Sequence, residues 1–412
     1  MRGSRQLLRL AVLRAFAALL LHPTRTGRNV GGEAPRLLLI RPDHIGDVLF
    51  ATPALRVLRQ ACPDAHLVAM VGPWGKAVIE RNPNLDEIIV CEFPAFSRRP
   101  KASFLAPYRL LQQWAGQLRS QRLSLAIVLR FDHWWGALLA YLSDIPQRLG
   151  YDIPECHPFL TEAVPYDSHR HEVEQNLTLI KAAIRSMGRP SPQDPLSPDF
   201  APEKTPDLAQ QNRLDLTITP QDRDYVDRYL AERGVGAEER PIAIHPGAGA
   251  PVKLWSPESW AQVADTLATS CPARIVITGS REELDLAWSV SARMRADAIV
   301  AAGDTSLGQL AALFERCRLV IGPDCGPLHL AVAVGTPTVH LYGPVDAVKF
   351  GPWGAPEKHV VVTSNRACIP CNRLEYAAQE LPAHPCVREI AVETVLGAAQ
   401  KVLSYASRSR AP

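Results

Sequence analysis

The chain has 412 residues, of which 47% are hydrophobic and 21% charged, with a formal net charge of +3. Because this length exceeds one ordinary hydrophobic core and the composition is that of a soluble globular protein, we expect two domains. Seven arginines against one acidic residue concentrate the positive charge in residues 1–36. The rest of the chain is slightly acidic, which gives no reason to expect nucleic-acid binding.

The first 35 residues form a separate basic segment. Residues 7–21 are apolar, but arginines interrupt the run, which is too short to span a bilayer comfortably. No small-x-small cleavage site follows, so a secretory signal is not expected. Arginines close to one helical face predict that the helix of residues 1–21 lies in an anionic membrane surface, with the protein cytoplasmic and peripheral on the inner face of the cytoplasmic membrane. The alternative is a helix that packs on the domain.

Residues 36–187 alternate between strand and helix patterns, which predicts a parallel α/β domain. Apolar runs predict strands at residues 36–40, 66–71, 87–90, 123–129 and 148–151. Helices are predicted at residues 47–61, 134–142 and 171–187.

The turn after the first predicted strand contains Gly46 and Asp47. Gly46 permits a tight turn and close approach of a ligand. Asp47 is predicted to begin a helix, whose positive end stabilises a carboxylate, so we expect this side chain to be ionised at neutral pH. An ionised carboxylate here could accept a proton from a substrate hydroxyl. The alternative is that Asp47 only caps the helix.

Six prolines between residues 188 and 206 predict a stiff, extended linker. Residues 207–412 then return to the α/β pattern, so the fold class is two doubly wound, Rossmann-like domains. Ligands bind such sheets at the carboxyl ends of the strands, which predicts two ligands in a cleft where these edges face each other. Strands are expected at residues 241–245, 274–278, 319–322 and 338–342, and helices near residues 221–233 and 307–316.

Two stretches of the second half are typical of phosphate-binding loops. After the strand that ends at His245, glycines keep side chains away from a ligand, and Lys253 follows where its ammonium could meet a phosphate. Further on, residues 319–322 predict a strand, residues 323–326 a sharp turn, and Pro327 the start of a helix. The free N–H groups of such a helix attract phosphate. The alternatives are a solvated loop lysine and an ordinary αβ connection.

Missing nucleotide-binding motifs and the cysteine pattern limit the possible kinds of binding site. The sequence has no G-x-x-x-x-G-K-[ST], and no G-x-G-x-x-G after the first strand, which excludes P-loop chemistry and disfavours dinucleotide binding. Nine cysteines in a chain of this size suggest reduced thiols in a cytosol. Cys368, Cys371 and Cys386, with His384 beside them, could hold zinc, although free thiols are favoured.

Taken in order over residues 36–400, these motifs resemble the ADP-heptose:lipopolysaccharide heptosyltransferases, glycosyltransferase family nine. The motifs that carry this resemblance are residues 46–47, 148–151, 171–177, 245–247, 253–257, 324–331 and 342–344, together with the carboxyl-terminal cysteines.

The resemblance implies a GT-B fold, with an acceptor-binding domain at residues 36–187 and a nucleotide-sugar-binding domain at residues 207–412. It implies an inverting, metal-independent transfer that needs no cofactor. A heptose-like sugar would move from a nucleotide diphosphate donor, with ADP-heptose favoured, to a lipopolysaccharide-core or related lipid-linked glycan. The alternatives are a nucleotide-sugar epimerase or hydrolase on the same fold, and a non-catalytic nucleotide-sugar-binding protein.

The resemblance also implies roles for individual residues. Asp47 would be the general base, and Lys253 would neutralise the diphosphate leaving group. The chain departs from the family at Cys325, where Ser or Thr is usual, and at residues 255–257, where Trp-Pro is common. The diphosphate would be bound by Lys253, Asp324, Cys325, Gly326, Leu328 and His329, and the cleft would be lined by Gly46, His245, Gly247 and Gly343.

Overall fold

In a computed structural model of the chain, the described residues are 34–94, 96–97, 103, 105–189 and 212–408. They form two compact units that divide after Gln211. The predicted membrane helix of residues 1–21 and most of the predicted linker lie outside the described residues. Within the described ranges, no helix is both long enough and apolar enough to cross a bilayer.

The first unit is a parallel six-stranded sheet in the order β3-β2-β1-β4-β5-β6. The order reverses between β1 and β4, so the carboxyl ends of these two strands form a topological switch point. The strands are β1 (Arg36–Arg41), β2 (His66–Val71), β3 (Glu87–Val90), β4 (Leu125–Val128), β5 (Gln147–Tyr151) and β6 (Glu162–Val164). The helices are α1 (Ile45–Ala61), α2 (Pro73–Ile79), α3 (Ala106–Arg119), α4 (Trp134–Leu142) and α5 (Glu172–Ser186), with a short 3-10 turn at His157–Phe159.

The second unit repeats this architecture in the order β12-β11-β10-β7-β8-β9, again with every strand pair parallel. Its switch point lies between β7 and β10. The strands are β7 (Ile242–Ile244), β8 (Ile275–Ile277), β9 (Ala298–Val300), β10 (Leu319–Pro323), β11 (Thr338–Tyr342) and β12 (His359–Thr363). The helices are α6 (Pro220–Ala231), α7 (Pro257–Ser270), α8 (Leu284–Ser291), α9 (Leu307–Arg316), α10 (Gly326–Ala333), α11 (Ala347–Phe350) and α12 (Val392–Arg408), with 3-10 turns at Pro251–Lys253, Arg281–Glu283 and Ala378–Ala383.

The central strands are continuous apolar runs because helices cover both faces of each sheet. In β1, for example, Leu38 and Ile40 pack with Val68 and Ala126 of the neighbouring strands in a core that also takes in residues of α3 and α4. Such burial fixes the ends of β1 and β4, and therefore the loops that follow them.

The predicted fold class, two doubly wound parallel α/β domains, is confirmed. Most predicted strands and helices agree with the structure within about two residues, which is the usual uncertainty of element ends. Two helix starts were predicted slightly late. The first helix begins at Ile45 rather than Asp47, and the helix after β10 begins at Gly326 rather than Pro327.

Candidate active site

Asp47 lies in the first turn of α1, beside the carboxyl end of β1 and therefore at the switch point of the first sheet. The N-cap position of α1 is occupied by His44, so Asp47 is not the N-cap residue. Its side chain remains 29% exposed, whereas the neighbouring carboxylates of Asp43 and Glu172 are 1% and 4% exposed. Asp47 is thus the accessible carboxylate of this group.

A buried guanidinium, that of Arg41 at the end of β1, lies among these three carboxylates. Its nitrogens lie 2.9 Å from Asp43 and 3.2 Å from Glu172, but 3.6 Å from Asp47. Arg41 also donates to the side-chain oxygen of Asn176 at 3.3 Å. The closest side-chain partners of Arg41 are therefore Asp43, Glu172 and Asn176, not the exposed carboxylate.

A second arginine, Arg130 after β4, pairs with Asp43 from the other side and with Asp132 at 2.6 Å. Its guanidinium lies 5.0 Å from the ring centre of Phe96 and 5.5 Å from that of Phe131. Buried beside this pair, the His133 ring has its pKa lowered to about 3, chiefly by desolvation, and is neutral at physiological pH.

The pKa of Asp47 is raised to about 7, first by desolvation and then by the charges of Asp43 and Glu172, against the opposing effects of Arg41 and Arg130. The expectation that a helix start keeps Asp47 ionised at neutral pH therefore holds only in part, because a carboxyl group with this pKa is partly protonated there. Two neighbouring carboxylates and partial burial outweigh the helix dipole, which contributes only about 0.3–1 kcal/mol at such positions. A carboxylate with a pKa near neutrality is well matched to general base catalysis.

In the second unit, Lys253 and Asp324 come together across the switch point. The ammonium of Lys253, on the 3-10 turn after β7, lies 2.6 Å from the Asp324 carboxylate and 3.5 Å from its backbone carbonyl. Asp324 directly follows β10. The structure thus unites two of the residues predicted to bind the diphosphate, and pairs them with each other.

The start of α10 follows immediately. Cys325 is its N-cap residue, and burial raises the pKa of its thiol, so the thiol is neutral. Leu328 and His329 are buried in the first turn, so an anion could meet only backbone N–H groups there. The N–H of His329, the fourth helical residue, bonds within the helix, so Gly326 and Leu328 carry the N–H groups that lack an acceptor in the helix backbone. Gly326 is the first helical residue and is half-buried. The predicted geometry of a helix N-terminus beside Lys253 is therefore present.

The side chain of Glu283 lies over the turn that follows β7. A Cβ atom on Gly247 would lie 2.1 Å from a Glu283 carboxylate oxygen, so a larger residue here would require the Glu283 side chain to move. Glu283 also accepts a hydrogen bond from the backbone N–H of Ser280 at 2.8 Å. Sequence reasoning missed Glu283, although an acidic residue after the second strand of a Rossmann-like unit is a known signal for ribose recognition.

Two predicted cleft-lining residues are accounted for by packing. The His245 side chain is 2% exposed, bonds the Thr278 hydroxyl at 3.0 Å, and has a pKa lowered by burial. Gly343 is buried, and a Cβ there would lie 2.6 Å from Val387 and 3.0 Å from Cys386. The structure thus gives His245 and Gly343 packing roles, and that they also line the cleft stays a prediction. Gly46, in the first turn of α1, is half-buried.

The nine cysteines are free thiols. Cys371 lies 3.9 Å from the Tyr376 hydroxyl, and Cys386 lies 3.9 Å from the backbone carbonyl of His384. In the part of the chain that the structure describes, no group of three or more histidine, cysteine or acidic side chains could hold a metal ion. The described residues Cys368, Cys371 and Cys386 therefore do not come together as a zinc site.

Two parallel Rossmann-like units, each with polar side chains at the switch point of its sheet, are the architecture of the GT-B fold class. The model of glycosyltransferase family 9 (heptosyltransferase) matches residues 112–381, and the chain belongs to this family.

Individual proteins agree with this assignment. Lipopolysaccharide heptosyltransferase 3 of Escherichia coli is 24% identical over 318 residues, which cover 75% of this chain and 83% of that protein. A family 9 glycosyltransferase structure from Veillonella parvula superimposes with a TM-score of 0.69 at 24% identity, covering 90% of this chain and 98% of that one. The structure of E. coli ADP-heptose heptosyltransferase II gives a TM-score of 0.65 at 22% identity, covering 90% and 99%.

Proposed function

We propose that this glycosyltransferase moves a heptose from ADP-heptose to a lipopolysaccharide-core or related lipid-linked glycan, with inversion at the anomeric carbon. The family match supports the sugar and the donor, since relatives are named as heptosyltransferases of lipopolysaccharide. The observation that carries the chemistry is Asp47, an accessible carboxylate with a pKa near 7 at the sheet edge of the first unit.

In the proposed reaction, Asp47 takes the proton of the acceptor hydroxyl, and the hydroxyl oxygen of the acceptor attacks the anomeric carbon of the donor. The bond between that carbon and the diphosphate oxygen breaks, ADP leaves with the electron pair, and the configuration inverts. Both protein and acceptor are needed for turnover, because the nucleophile is the acceptor hydroxyl.

The donor side would stabilise the leaving diphosphate. Lys253 supplies positive charge, and the N–H groups at the start of α10 supply hydrogen-bond donors that need no reorganisation. Because these groups can do the charge stabilisation that a divalent cation provides in other enzymes, we propose that the transfer is metal-independent. Glu283 would accept hydrogen bonds from the ribose hydroxyls of the nucleotide.

The proposal is tested by incubating the purified protein with ADP-heptose and heptose-deficient lipopolysaccharide, and by following ADP release and acceptor mass. We expect ADP release that depends on the acceptor, an acceptor heavier by one heptose, and no loss of rate in excess chelator. Equal ADP release without acceptor would indicate a hydrolase, and conversion of the donor without ADP release an epimerase. Donor binding without turnover over a broad acceptor panel would indicate a binding protein.

We also propose that the protein works at the cytoplasmic face of the membrane, where residues 1–21 would bind anionic lipid. The basic composition of this segment supports the proposal. Full-length protein should co-sediment with vesicles containing anionic phospholipid, but not with purely zwitterionic vesicles. Replacing Arg2, Arg5 and Arg9 by glutamine should weaken that binding, and equal binding of both proteins would contradict the proposal.

A further inference from the structure

The guanidinium of Arg41 lies at unequal distances from three carboxylates, and this affects the proposed base. Its guanidinium is nearly inaccessible, and it lies closer to two buried carboxylates, Asp43 and Glu172, than to the exposed carboxylate of Asp47. The separation of 3.6 Å from Asp47 exceeds a normal N–H···O hydrogen bond, whereas Arg41 donates to Glu172 at 3.2 Å and forms a closer ion pair with Asp43, at 2.9 Å. The ion pair with Asp47 is thus the longest of the three that Arg41 makes with these carboxylates.

Helix α5 sets this arrangement. Glu172 is its first residue, and Asn176, one turn later, accepts from Arg41 at 3.3 Å. The amide of Asn176 also donates to the Phe50 carbonyl at 3.2 Å, which ties α5 to α1. Arg41 also donates to the Leu129 carbonyl at 3.2 Å. The position of the guanidinium is therefore fixed by contacts in which Asp47 takes no part.

We propose that Glu172 and Asp43 are positioning residues for glycosyl transfer: by holding Arg41, they keep it from forming a close ion pair with Asp47. The Asp47 carboxylate then stays available to take the acceptor proton. This inference rests on the proposed role of Asp47 as the base, and adds the residues that keep this base competent.

The charges around Asp47 support this inference. The charged groups that face it are Arg41 from β1, Asp43 from the following turn, Glu172 from α5 and Arg130 from the loop after β4. Burial and the two carboxylates raise the pKa of Asp47, while the two arginines lower it. A close, unshared arginine typically lowers a carboxyl pKa by about 1–3 units, which would make Asp47 a weaker base.

The decisive variant is Glu172→Gln, which keeps the length of the side chain but removes the charge that competes with Asp47 for Arg41. Because Glu172 raises the pKa of Asp47, its removal should move the acidic limb of the kcat/KM profile to lower pH, by about one unit. Above that limb the rate should fall about threefold, because a general base weakens as its pKa drops. The wild-type and variant profiles should therefore converge or cross at acidic pH.

Matched variants separate this effect from a loss of structure. Glu174→Gln, on the exposed side of the same helix, should leave the profile unchanged. Glu172→Asp, which keeps the charge, should retain the wild-type midpoint. Arg130→Gln should move the midpoint to higher pH, because Arg130 lowers the pKa of Asp47. Opposite shifts from two neighbouring variants cannot come from general destabilisation, and Arg130→Gln remains informative if Glu172→Gln does not fold.

A uniform drop of kcat/KM at every pH in Glu172→Gln, or a midpoint in Arg130→Gln that is unmoved or lower, would overturn the inference. Asp47→Asn tells this failure apart from a failure of the proposed function. If Asp47→Asn keeps wild-type turnover, Asp47 is not the base. The other outcome is that turnover of Asp47→Asn falls about 10²–10⁴-fold while the pH midpoints of Glu172→Gln and Arg130→Gln do not move. In that case Asp47 is still the base, and only the positioning role is lost.

Discussion

The charge of Lys253 is compensated in the structure by Asp324 at 2.6 Å. A diphosphate carries more negative charge than one carboxylate and offers several oxygens to an ammonium. If a donor binds at the start of α10, it competes with Asp324 for the same cation. The ion pair thus keeps a positive charge beside the helix start, in a geometry from which a diphosphate can recruit it.

Lys253→Ala tests this role. The variant removes the cation and leaves the Asp324 carboxylate unpaired next to the diphosphate, so we expect kcat/KM to fall about 10²-fold or more in steady-state assays of ADP release. Lys401→Ala, an exposed lysine on α12 of the same unit, serves as the control and should behave as wild type. Equal kinetics of the two variants would remove Lys253 from the mechanism.

Gly247→Ala tests the position of Glu283. The new methyl group would occupy the place of the Glu283 carboxylate, which must move, so we expect the KM for the donor to rise about tenfold with a smaller effect on kcat. Gly397→Ala is the matched control, since a Cβ there meets nothing within 4 Å and the helix should gain about 0.5–1 kcal/mol. A donor KM unchanged in Gly247→Ala would show that Glu283 does not contact the nucleotide.

At the scale of residues, the sequence predicted positions better than charge states. Lys253 and Asp324 could be placed because each follows a predicted strand, and strand ends meet at one edge of a parallel sheet. The neutral-range pKa of Asp47 could not be predicted, because it depends on Glu172, which lies far along the chain on α5. Glu283 was missed although the strand before it was predicted, because it lies on a 3-10 turn six residues after that strand and its side chain reaches back over Gly247.

Helix α10 shows how one residue can weaken an element that matters for binding. Cys325 has the extended backbone of an N-cap residue, with φ −158° and ψ 160°. Ser and Thr are preferred at such positions because their oxygen accepts from a backbone N–H in the first turn, and Cys does this poorly. Since Pro327 has no N–H, the available donor is Leu328.

Cys325→Ser should therefore stabilise the second unit. We expect the free energy of unfolding to rise by about 1 kcal/mol, because the hydroxyl would accept from the Leu328 N–H. Thermal denaturation followed by circular dichroism measures the change, and Cys368→Ser, at an exposed thiol, is the control. A lower melting temperature in Cys325→Ser would mean that the buried thiol packs better than a capped hydroxyl.

Among the elements, prediction succeeded where burial is continuous. Strands such as β1 and β11 are buried over five consecutive residues and were predicted within one residue of their ends. The short edge strands β6 and β9 were missed, because three residues do not establish a periodicity. β12 was also missed, although it is five residues long, because it is a partly exposed edge strand.

At the scale of the whole molecule, both units bury neutral histidines. In the second unit the Thr338 hydroxyl lies 2.8 Å from His340 and 2.9 Å from His359. A hydroxyl donates one hydrogen bond and accepts another, which suits two uncharged rings. Burial lowers the pKa of His359 to about 3 and that of His340 well below its usual range, and His133 in the first unit is likewise lowered to about 3.

These pKa shifts determine whether the free energy of unfolding rises or falls as the pH is lowered. In the unfolded chain a histidine binds a proton near pH 6.5, whereas His133 and His359 in the folded protein bind one only near pH 3. Between these values the unfolded state holds more protons, so the free energy of unfolding falls as the pH is lowered. The contribution of these residues is complete above about pH 6.5, and each unit of pH below it costs about 1.4 kcal/mol per histidine.

His359→Asn isolates one of these contributions, since an amide does not titrate but can still hydrogen-bond the Thr338 hydroxyl. At pH 8 the variant should be less stable than wild type, because it packs less well. Between pH 7.5 and pH 5 its free energy of unfolding should fall by about 2 kcal/mol less than that of wild type, measured by urea denaturation. His169→Asn, at an exposed histidine, should track wild type over the same range. If the curves of His359→Asn and wild type run parallel, proton uptake by His359 on unfolding does not contribute, and the acid sensitivity must come from carboxylates.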